Sequence, residues 1–344
     1  MVRSTIRVPL ALSWQPNIEL AGALHSMKLL SFAIGEAVHL GALRADGSIL
    51  DLTLAAGDAD CASMQSLIEA GPPALERARR LVDASHQGID PGAVRWLAPL
   101  PAPIQIRDFL VFEEHMRMAG WNGAKLRALH GAPPAPAAPP PVPAIWYEQP
   151  IYYKCNRFAV AGTGSTVRWP TYSRVIDYEL ELACVIGRKG RDIQPAHASD
   201  YIFGYTIFND LTARDAQFKE MQGPLGPAKG KDFDGANVFG PVIVTADSLD
   251  AGNLRMRAWV NGELRCDNSS DTMHWSFNQI LEHVSRSETL YPGEILGSGT
   301  VGGGCGLETG RFLKHGDRIE LEIEQIGKLG TVIDAPHVLT EITL

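Results

Sequence analysis

The stretch that most limits what this chain can become is residues 177–187, DYELELACVIG. Asp177, Glu179 and Glu181 alternate with Tyr178, Leu180 and Leu182, and Val185 and Ile186 continue a strand-forming run. A strand sends successive side chains to opposite faces, so the acids share one face and the bulky apolar groups the other. Stacked like charges repel, and burying a carboxylate without partners costs roughly several kcal/mol. The flanking LACVIG is too apolar for a strand lying wholly in water. The acids therefore require water, basic side chains or a bound cation.

A second near-continuous apolar strand, FGYTIFND, ends in Asp210, where the chain turns into a helix. Glu179, Glu181 and Asp210 thus form a candidate metal site whose hard oxygen ligands suit Mg²⁺, Mn²⁺ or Ca²⁺. Cysteine and histidine do not occur at zinc-ligand spacing. Beyond Asp210, TARDAQFKEM reads as helix, with Arg214 and Gln217 three apart on one face. In GPLGPAKGKDFDG, the glycine-bounded Lys229 and Lys231 are either solvated surface or cations that reach a cavity and bind an anionic substrate. Residues 297–308, GSGTVGGGCGLE, supply backbone that can approach a ligand closely, or simply a turn-rich hairpin loop. The segment lacks the GK[ST] of a phosphate-binding loop.

A chain of 344 residues favours two domains, or one large domain with an attached module. Apolar residues at 45% and charged residues at 20% indicate a globular chain with a well-formed core. A net charge of −8 argues against nucleic acid or an acidic membrane surface as partner, because either needs concentrated basic surface. Cys61, Cys155, Cys184, Cys266 and Cys305 are scattered, without a CxxC pair, which fits reduced thiols and a cytoplasmic location. No run approaches the ~20 apolar residues of a membrane span. The short VPLAL run near the start, with its proline, does not make a signal peptide.

Organised sequence is expected from Met27, with residues 1–26 an N-terminal extension. MKLLSFAIGEAVHLGALRADGSILDL predicts a small antiparallel meander turning at Asp46-Gly47. Helical pattern follows in residues 63–85, then an extended, proline-broken connector to Phe109. A domain boundary is placed near residue 100, separating a small N-terminal domain (27–100) from a larger one (101–344). Residues 113–130 predict helix interrupted at Gly120 and Gly123. The proline-rich 132–143 excludes helix and inner strand, leaving a surface linker or a lid. Strands are predicted at 174–187, 201–209, 238–245, 255–261 and 317–326, and helices near 211–222 and 273–286. The fold class is α+β and β-rich, closer to a roll or barrel than to a doubly wound sheet.

Taken together, DYELELACVIG, NDLTARDAQ, PLGPAKGKDF, GSGTVGGGCGLE, RDFLVFEEH and YYKCNRFAVAGTGSTVRWP resemble, in order and spacing, the fumarylacetoacetate hydrolase family over roughly residues 100–335. The resemblance implies a mixed β-roll catalytic domain behind a small β-containing N-terminal domain, and a homodimer. It implies metal ligation of Mg²⁺ or Mn²⁺ by Glu179, Glu181 and Asp210, with Asp108 a further ligand present in only part of the family. It assigns His115 as the water-activating base paired with Glu308, and Lys231, Arg214 and Gln217 as groups that bind and polarise substrate oxygens. Thr300 matches a substrate-contacting threonine. Two departures bear on the substrate. Met118 stands where many smaller members place a glutamate, and Leu110, Val111 and Phe112 do not match the aromatic contacts of the hydrolase, for which Tyr152 (or Tyr153 beside it) is the candidate replacement. The implied activity is metal-dependent hydrolysis of a C–C bond in a 1,3-diketone or 2,4-dioxo acid, of the kind met in aromatic-compound catabolism. A 2-oxo acid decarboxylase, hydratase or isomerase of the same family, and a non-catalytic dicarboxylate-binding protein, are the alternatives.

Overall fold

The structure, a computed structural model, describes residues 27–129, 131–223 and 225–344, so the expected extension 1–26 lies outside the described residues. Its centre is an eleven-stranded sheet. The strand Leu180–Ile186 is buried along its whole length and pairs antiparallel with Ile202–Asp210 on one side and Ile295–Gly297 on the other. Leu180, Leu182, Cys184 and Ile186 join one core, while Ala183 and Val185 join a second on the opposite face. Burial on both faces explains why this strand and Ile202–Asp210 read as near-continuous apolar runs.

The first core is closed by a five-stranded sheet of Glu263–Ser269, Arg255–Val260, Arg318–Ile323, Gly327–Asp334 and Ser165–Arg168. The second is closed by the helices Met64–Ala70 and Pro72–Ala84, which contribute Leu67, Ile68, Ala74 and Ala78. The fold is thus β-rich α+β, as the pattern implies. Among the described residues no helix is long and apolar enough to cross a membrane.

The N-terminal meander forms as expected, with Lys28–Ile34, Ala37–Leu43 and Ile49–Asp51 in antiparallel order. Its first strand pairs with Asn237–Thr245, Lys28 opposite Val244, so residues on either side of position 100 share one sheet.

Three local expectations need correction. The strand expected over 174–187 is broken at Tyr178: Ile176–Asp177 pairs with Thr212–Ala213, and only from Leu180 does the chain enter the main sheet. The cause is Asp177, whose carboxylate accepts N–H bonds from Gly306 (2.6 Å) and Leu307 (2.9 Å) and holds Arg214. The interruption expected at Gly120 and Gly123 is absent, because Glu113–Leu129 is one continuous helix. Gly123 is required there by close approach, since a Cβ would lie 2.7 Å from the Phe218 ring. Finally, the hairpin partners Glu263–Ser269 and Gly327–Asp334 were not among the expected strands. The proline-rich 132–143 contains no helix or strand, and its Pro136 carbonyl accepts a bond from Trp121 Nε1 on the outer side of the Glu113–Leu129 helix.

Candidate active site

Sheet register brings three acids together. Asp108 sits on Ile106–Phe109 opposite Gly297, and Gly297 lies opposite Ala183, two residues along from Glu181 and on its face. Across the other edge Glu181 faces Phe208, two residues before Asp210. Carboxylate oxygens of Asp108, Glu181 and Asp210 lie within 4.8 Å of one another, all buried. Gly297 makes this possible: a Cβ there would stand 2.5 Å from Asp108 Oδ1 and 3.0 Å from Glu181 Oε2.

Such a cluster is costly. Burial pushes Asp108 up to about 6. It pushes Asp210 up to about 8 against the pull of Lys231, and Glu181 well above the usual carboxylate range. Glu181 Oε2 and Asp210 Oδ1 are buried with no hydrogen-bond partner among the described residues. Among the described residues, the five acids Asp108, Asp177, Glu179, Glu181 and Asp210 face two fixed cations, Arg214 and Lys231, which leaves carboxylates in excess. Hard oxygen donors, orphaned lone pairs and surplus negative charge fit a divalent cation.

Glu179 is placed differently from the other three. Its Oε1 accepts from Arg214 Nη2 at 2.7 Å and its Oε2 from Lys231 Nζ, which also donates to Asp210. Burial opposes ionisation of Glu179, but Lys231 and Arg214 win and hold it below the usual range. Lys231 reaches the cluster because Gly230 packs against Gln217, where a Cβ would lie 2.6 Å from Gln217 Cβ. Lys229 remains at the surface over the Tyr172 ring. Arg214 also donates Nε to Asp177 at 2.7 Å and Nη1 to Gln217 Oε1 at 3.1 Å. Tyr153, rather than Tyr152, reaches the acids: its hydroxyl donates to Asp210 Oδ2 at 2.6 Å.

His115 lies in the first turn of the Glu113–Leu129 helix, with Nδ1 2.7 Å from Glu308 Oε1. The other oxygen of Glu308 accepts the Gly303 N–H at 2.9 Å, and Asn122 holds the Leu307 and Glu308 carbonyls at 2.9 and 2.8 Å. Burial would lower the imidazole's pKa, but the Glu308 carboxylate outweighs it and raises it. With Nδ1 occupied, Nε2 is the atom left for the cavity that His115 lines. Sequence reasoning did not find Asn122, whose role depends on a contact across 185 positions.

The cavity measures about 660 Å³ and gathers Asp108, His115, Tyr152, Glu179, Glu181, Arg214, Gln217, Lys231 and Thr300 on one wall system. Asp210 lies behind Tyr153 and Lys231, and Glu308 behind His115. Thr300 Oγ1 stands 3.4 Å from Glu181 Oε1. Tyr152 packs against Phe109, ring centroids 4.9 Å apart. Apolar walls come from Met116, Ala119, Phe218 and Met221, which have no polar signature in the sequence. None of residues 132–143 lines this cavity.

Residues 112–334 match the Fumarylacetoacetate (FAA) hydrolase C-terminal family. The chain belongs to the fumarylacetoacetate hydrolase family. Family members similar to it include a mitochondrial oxaloacetate tautomerase of Xenopus laevis, 31% identical over 92% of this chain and 93% of that protein. The oxaloacetate tautomerase YisK of Bacillus subtilis is 38% identical over 54% of this chain. The alignments with it and with Staphylococcus epidermidis relatives cover 62% of those proteins' length. Among solved structures, the fumarylacetoacetate hydrolase of Exiguobacterium antarcticum is 28% identical with a TM-score of 0.67, over 90% of this chain and 99% of that one. The family fold therefore spans both the N-terminal meander and the acid-lined cavity.

Proposed function

We propose that this family member hydrolyses a carbon–carbon bond in a 2,4-dioxo acid of the acylpyruvate type. The observation that carries the reading is the His115–Glu308 pair opening onto the same cavity as the buried acids. Asp108, Glu181 and Asp210 would hold a divalent cation, with Glu179 at the cluster's edge. Mg²⁺ or Mn²⁺ there supplies Lewis acidity to the substrate's oxygens.

His115 Nε2 takes a proton from water, whose oxygen bonds to the C4 carbonyl carbon. Glu308, fixed by Gly303 and opposite Nδ1, stabilises the imidazolium that results. Gln217, its carbonyl oxygen engaged by Arg214, is left to donate its amide N–H groups to negative charge developing on oxygen. The C3–C4 bond then breaks with its electron pair delocalised onto the C2 carbonyl. His115 returns the proton to C3, leaving pyruvate and a carboxylic acid. A cavity of about 660 Å³ suits a ligand larger than a four-carbon acid.

A second reading, tautomerisation of a 2-oxo dicarboxylate, is favoured by the near-full-length similarity to an oxaloacetate tautomerase. The two readings share a half-reaction, since returning a proton to an enolate carbon is tautomerase chemistry by itself. They separate in one assay series. Pyruvate release from acylpyruvates, and ketonisation of enol oxaloacetate, are followed with and without chelator in wild type and His115→Asn. Hydrolysis predicts chelator-sensitive pyruvate release that falls by about 10²–10⁴-fold in the variant. Ketonisation without pyruvate release replaces it with the second reading, and undiminished turnover in His115→Asn removes the base from both.

A further inference from the structure

We propose that Cys305, His115 and Glu308 form a second metal site, one that takes Zn²⁺ and silences the base. Its occupancy does not depend on the reaction; its effect on turnover rests on the reading of His115 as the base. Cys305 and His115 stand 190 positions apart in the chain, and the fold brings them together. His115 Nδ1 lies 2.7 Å from Glu308 Oε1, and Cys305 Sγ is 3.6 Å from that oxygen and 3.9 Å from that nitrogen. These separations are the edges of one triangle whose centre is about 2.0 Å from each atom, against Zn²⁺ bonds of ~2.0 Å to oxygen and nitrogen and ~2.3 Å to sulfur.

Donor chemistry separates this trio from the acid cluster. Asp108, Glu181 and Asp210 offer hard oxygens suited to Mg²⁺ or Mn²⁺, whereas nitrogen and sulfur donors select a softer ion. Charge balances as well: a thiolate and a carboxylate neutralise a dication, so the buried trio would carry no net charge once loaded. The ligands are also held in advance. Cys305 caps the short helix Gly306–Thr309 that carries Glu308, and Asn122, on the helix of His115, holds the Leu307 and Glu308 carbonyls. Glu308 can keep Oε2 on the Gly303 N–H while Oε1 binds the ion. In the neutral ring Nδ1 points its hydrogen at Glu308, and Nε2 holds the lone pair that faces the cavity. When Zn²⁺ takes Nδ1, that ring hydrogen passes to Nε2, and the thiol proton goes to solvent. With Nε2 protonated, His115 has no lone pair left to accept a proton from water.

The test titrates Co²⁺, a coloured substitute for Zn²⁺, into the full chain in excess Mg²⁺, which keeps the acid cluster filled. Wild type is expected to develop thiolate-to-cobalt charge-transfer absorption that saturates with a single equivalent and disappears when Zn²⁺ is added. Cys305→Ser and Cys305→Ala lose the band, with melting curves in Mg²⁺ showing that they are folded. In parallel, turnover of acylpyruvates and of enol oxaloacetate is followed against Zn²⁺, each protein scaled to its own Zn²⁺-free rate. The Zn²⁺ concentration that halves turnover should rise at least about 100-fold in both variants, since losing a ligand costs no less than losing a supporting partner. No charge-transfer band in wild type, or a band that survives in both variants, overturns the site. Equal Zn²⁺ sensitivity in wild type and variants overturns the silencing of the base and puts the inhibition elsewhere. The spectrum needs no turnover, so a chain that releases no pyruvate still reports the site.

Discussion

At His115 two effects of opposite sign meet: burial disfavours the imidazolium, and the Glu308 carboxylate more than restores it. A general base acts when unprotonated, so activity rises as pH passes its pKa. Glu308→Gln removes the dominant raising influence. The acid limb of the kcat/KM profile then moves to lower pH, while kcat falls about 100-fold through lost orientation; an unmoved limb would detach Glu308 from the base. Tyr153→Phe tests the support of the acids. Losing the 2.6 Å bond to Asp210 is expected to weaken Mn²⁺ binding about tenfold, read by titration calorimetry. The choice between Tyr152 and Tyr153 was not legible in the sequence, because it depends on strand parity. Pairing of Asp108 with Tyr153, and of Phe109 with Tyr152, points one ring at the acids and the other at the apolar wall.

At the scale of elements, the two glycines of the Glu113–Leu129 helix separate propensity from packing. A Cβ at position 120 meets only Pro140 Cγ at 4.0 Å, so Gly120→Ala should gain about 0.5–1 kcal/mol from helix propensity. Gly123→Ala forces Phe218 to move and should lose about 1–3 kcal/mol, with urea midpoints showing both signs. The helix itself was visible in its pattern. Its continuity through two glycines was not, because the reason lies in Phe218, 95 positions away by numbering. The central strands were legible for the opposite reason: burial on both faces leaves an unbroken apolar record in Leu180–Ile186 and Ile202–Asp210. The break at Tyr178 left no such record, since the groups that capture Asp177 are Arg214 and the backbone of Gly306 and Leu307.

For the molecule as a whole, the acid cluster links stability to pH and to cations. Asp108 at about 6, Asp210 at about 8 and the raised Glu181 all hold protons more tightly folded than unfolded. Their stabilising contribution is complete below the unfolded carboxylate range near pH 4, and is lost as pH rises toward about 8. Glu179 has the opposite sign, but its effect is confined to acid pH. In chelator, Tm should therefore fall between about pH 5 and 8, and saturating Mg²⁺ should restore it by an increment that grows with pH. A pH-independent increment would place the ion elsewhere. Lys231, meanwhile, lies between Glu179 and Asp210 as a tethered counter-charge. A newly made chain can thus close its interior before meeting any ion. Asp210 offers a dication its Oδ1, unpartnered among the described residues, while Oδ2 holds the ammonium, so taking up the ion would not require the tether to let go.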